Sequence, residues 1–179
     1  MLRKFGIIAV LSLLVTAFAA VPALAVAAGT YSPDPGSFNR ANAPGSSHLA
    51  AGSPSCTVDA DLDVNCSPYV LGGVGNTNAT VSLTATYSAT IDCTNKGGNL
   101  VESHTVANFT DSDAATVRSD RNGQLIVPAQ SVSAFDAPQV CPNRNWTPSI
   151  QAGTLTLNSF KYTLTFAGFT SLYITISEP

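Results

Sequence analysis

Apolar and hydroxyl-bearing side chains alternate without a break along residues 79–91, ATVSLTATYSATI. Apolar residues occupy every second position from Val81 to Ile91, and Ser or Thr fill the positions between them. Side chains two residues apart share a face of a β-strand, so this pattern predicts a strand with one core face and one wet face. Cys93 continues the core-facing parity, and the Asn-Lys-Gly-Gly that follows is suited to a tight turn.

The first two cysteines bound a second alternating segment, CTVDADLDVNC. As one straight strand it would separate Cys56 from Cys66 by about 33 Å. A hairpin that turns near residues 60–62 would instead place them opposite each other. A disulfide needs Cα atoms within about 7 Å, so pairing of these two cysteines requires the hairpin.

Shorter alternating patterns continue to the end of the chain. The dipeptide Asn122-Gly123 predicts a hairpin turn, and a phase slip at Asn158-Ser159 predicts a bulge or short turn. In the last pattern, Leu172, Ile174 and Ile176 share the inward parity. Further strands are predicted within residues 100–109, 115–119, 124–127, 131–137, 153–166 and 171–177.

These eight or nine short strands, without helical periodicity after the N-terminus, predict an all-β domain over residues 55–179. Antiparallel strands with one wet face favour a two-sheet sandwich, immunoglobulin-like or a related Greek key. A closed β-barrel is the alternative.

The N-terminal residues 1–25 have the layout of a secretory signal peptide. Arg3 and Lys4 precede a mostly apolar run, and the small-residue site Ala23-Leu24-Ala25 follows. We expect cleavage after Ala25 or Ala27. No second segment approaches membrane-spanning length. Residues 26–54 are rich in Pro, Gly and Ser and lack apolar periodicity, which predicts a flexible leader.

Export changes the charge balance and the expected state of the cysteines. Loss of Arg3 and Lys4 from a chain with 8 basic and 11 acidic residues leaves 6 and 11, a net charge of −5. The remaining cations are scattered, which argues against binding to nucleic acid or anionic membranes. Four cysteines in an exported chain predict two disulfides, with Cys93–Cys141 favoured as the second, although sequence alone does not choose among the three pairings.

Three carboxylates on the polar parity of the first hairpin, Asp59, Asp61 and Asp63, could attract a hard cation such as Ca²⁺. An EF-hand is excluded, because Val64 and Val70 stand where its Gly and Glu would be. The alternative is a solvated hairpin face whose charges discourage edge pairing.

Catalysis receives little support from the sequence, and no cofactor is indicated. Glu102 and His104 are two residues apart, so a carboxylate could orient an imidazole on one strand face. No nucleophile-elbow motif accompanies them, and Glu178 is the other glutamate of the exported part. Asp111 and Asp113 are interpreted as solvated residues of a loop.

The single tryptophan, Trp146, lies in a Pro/Asn-rich segment near Cys141. It could stack on a sugar or pack beside the disulfide, and packing is the commoner role of such a residue. A ligand-binding cleft, if present, is expected between the Trp146 loop and residues 72–76.

Three stretches, YSATIDCTNKGGNLVES, DRNGQL and CPNRNWT followed by TLTLNSFKYTLTFAGF, resemble a set of small secreted actinobacterial β-domain proteins. They share a C-x-N-x-GG-N turn, an N-G-Q hairpin and a late C-P-N element, and the similarity covers about residues 56–177. The resemblance implies an exported bacterial protein associated with the cell envelope. It implies no activity.

Together these features favour a secreted or envelope-associated, non-catalytic β-sandwich that acts in surface recognition or as a structural protein. Its partner would be cell wall, glycan or protein. The competing hypothesis is a carrier of a small molecule or glycan with a cleft near Trp146.

Overall fold

The computed structural model describes residues 25–136 and 140–179. The predicted signal peptide therefore lies outside the described residues, apart from Ala25. The described chain is built of antiparallel strands and one 3-10 turn, Arg40–Asn42. No helix in these ranges is long and apolar enough to cross a bilayer. The strands are β1 Gly29–Tyr31, β2 His48–Gly52, β3 Cys56–Val58, β4 Val64–Cys66, β5 Tyr69–Gly72, β6 Ala79–Thr94, β7 Leu100–Val117, β8 Leu125–Val127, β9 Gln130–Val132, β10 Thr147–Ile150, β11 Thr156–Phe166 and β12 Ile174–Glu178.

The largest sheet is organised around β6, whose 16 residues are the alternating segment described above. Strand β7 pairs with β6 along one edge. On the other edge, β11 pairs with residues 79–88 of β6, and β10 pairs with residues 91–94. Strand β12 continues the sheet beyond β11. Because β7 and β10 accompany the end of β6, the sheet extends past the part covered by β11.

The opposing layer consists of two smaller sheets, β1-β3-β4-β9 and β2-β5-β8. None of the sheets closes into a barrel, so the prediction of an antiparallel all-β sandwich is confirmed. The second layer differs from the expectation in being divided. A four-stranded sheet and a three-stranded sheet together face the large one.

The core lies where the inward face of the large sheet meets these small sheets. Every inward side chain of β6 from Val81 to Cys93 is at most 2% exposed, whereas the residues between them are partly exposed. The hydroxyls of Tyr69 and Tyr162 join the layers by a buried hydrogen bond of 2.9 Å. Burial raises the pKa of both phenols, that of Tyr162 to about 12.

Both disulfides form, Cys56–Cys66 and Cys93–Cys141. The first joins β3 to β4, whose residues 56 and 66 face each other across a hairpin. The turn lies at residues 60–61, where the sequence predicted it. The second joins the end of β6 to the segment before β10, which closes the larger of the two loops.

Strand β7 corrects two predictions, because it runs unbroken through the expected gap between residues 109 and 115. Asp111 and Asp113 therefore lie in a strand and not in a loop. Asn108, whose φ of 58° lies in the left-handed region, marks a bulge at which the β6–β7 register shifts. The Asn122-Gly123 turn is present, but the strands on either side belong to different sheets, since β8 pairs with β5.

Residues 26–54 form part of the folded domain, so the prediction of a flexible leader before residue 55 is wrong. Strand β1 pairs with β3, and β2 pairs with β5. Between them, the amides of Asp34 and Phe38 donate to carbonyls of Thr175 and Tyr173. The segment thus lies along β12. Its hydrogen bonds there offset the conformational entropy that it loses on ordering, a loss that its composition alone could not offset by burial of apolar side chains.

Two local features complete the large sheet. The predicted irregularity in β11 is confirmed as a register shift between Leu157 and Ser159. Strand β10 was not predicted, because its sequence, TPSI, contains a proline. Strand β10 is an edge strand, and Cys93, which lies opposite Pro148, directs its own backbone amide and carbonyl toward β7. Position 148 therefore needs no amide to donate to β6, and proline is tolerated there.

Candidate functional site

The far end of the β6–β7 pair carries most of the candidate residues that the sequence suggested. Cys93 pairs with Glu102 on β7 and with Pro148 on β10, and Ile91 pairs with His104 and Ile150. Directly opposed residues of neighbouring strands share a face. The structure therefore brings Glu102, His104 and the Trp146 segment to the same end of the sheet.

Trp146 packs against a small hydrophobic cluster at this end. The cluster is separate from the main core and is formed by Ala89, Ile91, Cys93 and Cys141, all buried. Partly buried Trp146 and Val106 lean on it. Trp146 lines none of the clefts described below. The packing interpretation of the sequence therefore describes its surroundings better than the sugar-stacking one.

Glu102 and His104 lie at an open edge of this cluster. The Nδ1 atom of His104 is 3.9 Å from Oε1 of Glu102, which is an ion-pair distance but too long for a hydrogen bond. Their side chains are 29% and 38% exposed, in the order His104 and Glu102. The nearest hydroxyl along the strand, that of Ser103, belongs to the other strand face and donates to Asp92 Oδ1 at 2.5 Å. The Nδ1 atom of His104 is itself buried and has no hydrogen-bond partner. The carboxylate of Glu102 therefore does not orient the imidazole.

The three aspartates of the first hairpin do not share one role. One oxygen of Asp59 accepts hydrogen bonds from the backbone amides of Asp61 and Asp63, both at 3.0 Å. Its carboxylate therefore closes the turn. Oδ1 of Asp63 is buried without a hydrogen-bond partner. No three His, Cys, Asp or Glu side chains within residues 25–136 and 140–179 converge as they would to hold a metal ion.

Asp111 and Asp113 have a defined structural role that the sequence did not reveal. Oδ2 of Asp111 accepts from the amide of Ser133 at 3.0 Å, and Oδ2 of Asp113 accepts from the amide of Ser131 at 3.3 Å. Strand β9 uses its other edge to pair with β4. The two carboxylates thus replace a neighbouring strand along the edge of β9.

The cleft that the sequence predicted between the Trp146 loop and residues 72–76 is absent from the described part of the chain. Trp146 precedes the residue that pairs with Thr94, whereas residues 72–76 come shortly before Ala79. The two loops therefore lie near opposite ends of β6, about 50 Å apart along a strand of this length. Residues 73–76 instead line a shallow cleft of about 370 Å³ with the Asn122-Gly123 turn.

A cleft of about 680 Å³ lies on the outer face of the large sheet. It crosses β6, β11 and β12. Lys161 is the one cation among its lining residues, and Glu178 is the one carboxylate. Its hydroxyl-bearing residues are Ser82, Thr84, Thr86, Ser159, Thr163 and Ser177. The alternation within the strands has thus produced a hydroxyl-rich groove, which the sequence pattern indicated only as a solvent-facing side of the strands.

A smaller cleft of about 420 Å³ lies beside the first hairpin, between residues 60–62 and residues 150–155. Phe135, 64% exposed, forms part of its wall.

Comparison with known proteins gives no relative: no protein family, no curated protein and no solved structure matches this chain.

Proposed function

We propose that the protein is an exported, non-catalytic β-sandwich with a structural or surface-recognition role at the bacterial cell envelope. The observation that supports this most directly is the use made of its carboxylates. Six aspartates accept hydrogen bonds that hold turns, edges or neighbouring strands, namely Asp34, Asp59, Asp92, Asp111, Asp113 and Asp120. Groups that an enzyme would use as acids or bases here maintain the fold.

The disulfides support the extracellular part of the proposal. Structural disulfides persist in oxidising compartments and are rare in the cytosol. Here one pins the first hairpin and the other pins the hydrophobic cluster at the end of the large sheet. The resemblance to small secreted actinobacterial proteins points to the same compartment.

Expression of the full chain in a secreting bacterium tests the proposal. We expect the protein outside the cytoplasm, with an N-terminus that begins at Val26 or Ala28 and no thiol reactive toward maleimide. A Cys93→Ser variant, which frees Cys141, provides the positive control for labelling. An uncleaved chain in the cytoplasm with reactive thiols would contradict the proposal.

Glycan binding is a second candidate, and the hydroxyl-rich groove on the outer face favours it. Hydroxyl side chains and a lysine can exchange hydrogen bonds with sugar hydroxyls. We therefore propose the groove around Lys161, and not the Trp146 loop, as the binding site in the carrier hypothesis.

Thermal-shift measurements with cell-wall oligosaccharides test this second candidate. Saturable stabilisation that is lost in Lys161→Ala, and kept in Lys96→Ala at the β6–β7 turn, would support it. Equal behaviour of the two variants would place any binding elsewhere.

A further inference from the structure

Within residues 25–136 and 140–179, no strand pairs with the outer edge of β7 over the part that lies before the bulge at Asn108. Beyond the bulge, the side chains of Asp111 and Asp113 contact β9. Before it, β6 is the one strand paired with β7 among the described residues. Leu100 and Val101, at the beginning of this edge, are 59% and 43% exposed.

At every second residue of this edge, the backbone amide and carbonyl point away from β6. The hydrogen bonds of β6 show which residues these are. The amide of Thr90 donates to Thr154 Oγ1 at 3.0 Å, and its carbonyl accepts from the amide of Gln151 at 2.9 Å. Thr90 therefore directs both groups away from β7. Since Thr90 pairs with Thr105, the amide and carbonyl of Thr105 must also point away from β6. The same holds for Ser103, two residues earlier.

The sequence of this edge lacks the usual protection against strand pairing. Exposed edges of sheets are normally blocked by lysine, proline, a bulge or a covering segment. Strand β7 contains no Lys, Arg or Pro in 18 residues, and its two register shifts, at Val101 and at Asn108, lie at either end of residues 102–107. About six residues of regular, uncovered strand are thus available to a partner strand.

We propose that two copies of the chain pair through this edge, antiparallel and about a two-fold axis at Ser103. Ser103 of each copy then exchanges two backbone hydrogen bonds with Ser103 of the other. The large sheets of the two copies then become continuous through residues 102–104 of each β7. A two-fold contact of this kind closes on itself and leaves no free edge for a third copy.

Charge complementarity selects this register. An axis at Ser103 places Glu102 opposite His104 of the second copy, twice, in pairs whose side chains are close because they do not exchange hydrogen bonds. An axis at Glu102 would oppose two glutamates, and an axis at His104 would oppose two histidines. With an axis at Thr105, Glu102 would face Asn108 of the second copy, and no pair of opposite charges would form.

This inference supplies a partner for the proposed structural role and depends on that role only for its biological use. The two fail separately. A monomer in solution would remove the pairing and leave the export proposal intact, whereas a cytoplasmic, thiol-reactive chain would remove the export proposal alone.

Sedimentation velocity over a wide range of protein concentration tests the pairing. The mature chain should pass reversibly from monomer to dimer. His104→Glu sets carboxylates opposite each other at both contacts, and we expect it to weaken the dimer about tenfold. The double variant Glu102→His with His104→Glu exchanges the charges within each strand, so it should restore dimerisation. A wild-type chain that stays monomeric, or a double variant as weak as the single one, would overturn the proposal.

Cysteine cross-linking tests the register. In the proposed dimer the two Ser103 Cα atoms are about 5.5 Å apart, within the range of a disulfide. The two Thr105 Cα atoms are about 13 Å apart along the strands. Ser103→Cys should therefore form a covalent dimer under mild oxidation, and the matched variant Thr105→Cys should not. Cross-linking of Thr105→Cys in preference to Ser103→Cys would exclude the axis at Ser103.

Discussion

At the scale of single residues, carboxylates in this protein act mainly as backbone acceptors. Asp59 and Asp120 each accept hydrogen bonds from two amides in a turn. Asp34 accepts from the amide and the hydroxyl of Ser177. Such interactions hold these aspartate side chains against backbone amides and hydroxyls. They also predict which aspartates matter for stability.

Asp111→Ala should lower the free energy of unfolding by about 1–2 kcal/mol, because the amide of Ser133 loses a charged acceptor. Urea denaturation provides the measurement. The control is Asp61→Ala on the exposed hairpin turn, which should change stability by no more than about 0.5 kcal/mol. Equal effects of the two substitutions would argue against a role for Asp111 in holding β9.

The Tyr69–Tyr162 hydrogen bond should show strong non-additivity. Either single Tyr→Phe change leaves one buried hydroxyl unpaired and should cost about 1–3 kcal/mol. The double change removes both hydroxyls, so it should cost less than the sum of the two single changes. A double-mutant cycle in urea measures the coupling, and additive effects would contradict it.

The same pair predicts sensitivity to alkaline pH. Burial raises the pKa of Tyr162 to about 12 and that of Tyr69 still further, whereas an unfolded tyrosine titrates near 10. The folded state therefore favours the protonated phenols. Their contribution to stability is complete below about pH 10 and is lost as pH rises toward 12 and beyond. Absorbance at the tyrosinate band should rise for these two residues only as the protein unfolds, and early titration of all five tyrosines would contradict this.

At the scale of elements, two-residue periodicity was sufficient to predict β6, the bulge in β11 and the hairpin between Cys56 and Cys66. It failed where side chains inside the fold are polar. The segment around Asp111 looked like a loop because its inward residues are carboxylates that hold β9. Strand β10 was missed because Pro148 is acceptable only at an edge, and the sequence does not show which strands are edges.

The candidate site was only partly predictable, for a related reason. Parity placed Glu102 and His104 on one face, and proximity to Cys141 indicated that Trp146 packs near a disulfide. The groove around Lys161 arises from three strands that are far apart in sequence. Which outward faces become neighbours depends on strand order, and alternation within a strand carries no information about that order.

Residues 26–54 were wrongly predicted to be flexible because the side chains that they bury are isolated in the sequence and form no periodic pattern. Val26 and Ala43 are buried, and the rings of Tyr31 and Phe160 are 5.2 Å apart. A chain that begins at Ser55 should therefore lose about 3–5 kcal/mol of stability or fail to fold, because several buried side chains and two strands are removed. Thermal unfolding, compared with a chain that begins at Ala25, tests this. Equal stability would restore the leader interpretation.

At the scale of the whole molecule, the two disulfides should contribute unequally. The chain-entropy relation gives about 4 kcal/mol for the separation of 48 residues between Cys93 and Cys141, and about 2.7 kcal/mol for the 10 between Cys56 and Cys66. Replacing each pair by alanine and measuring urea denaturation compares them. Hydrogen exchange should show that loss of Cys93–Cys141 first unprotects residues 89–93, while the part of β6 beside β11 stays protected. Uniform loss of protection along β6 would contradict a separate cluster.

The hydrogen bonds between Asp34 and Ser177 span 143 residues of chain. A polypeptide that emerges from its N-terminus cannot make them until Ser177 has been synthesised, 143 residues after Asp34. Native contacts of such long range slow folding. For the exported protein that we propose, this delay would keep the chain unfolded while it is threaded through a translocation channel, and the closing step would occur on the far side.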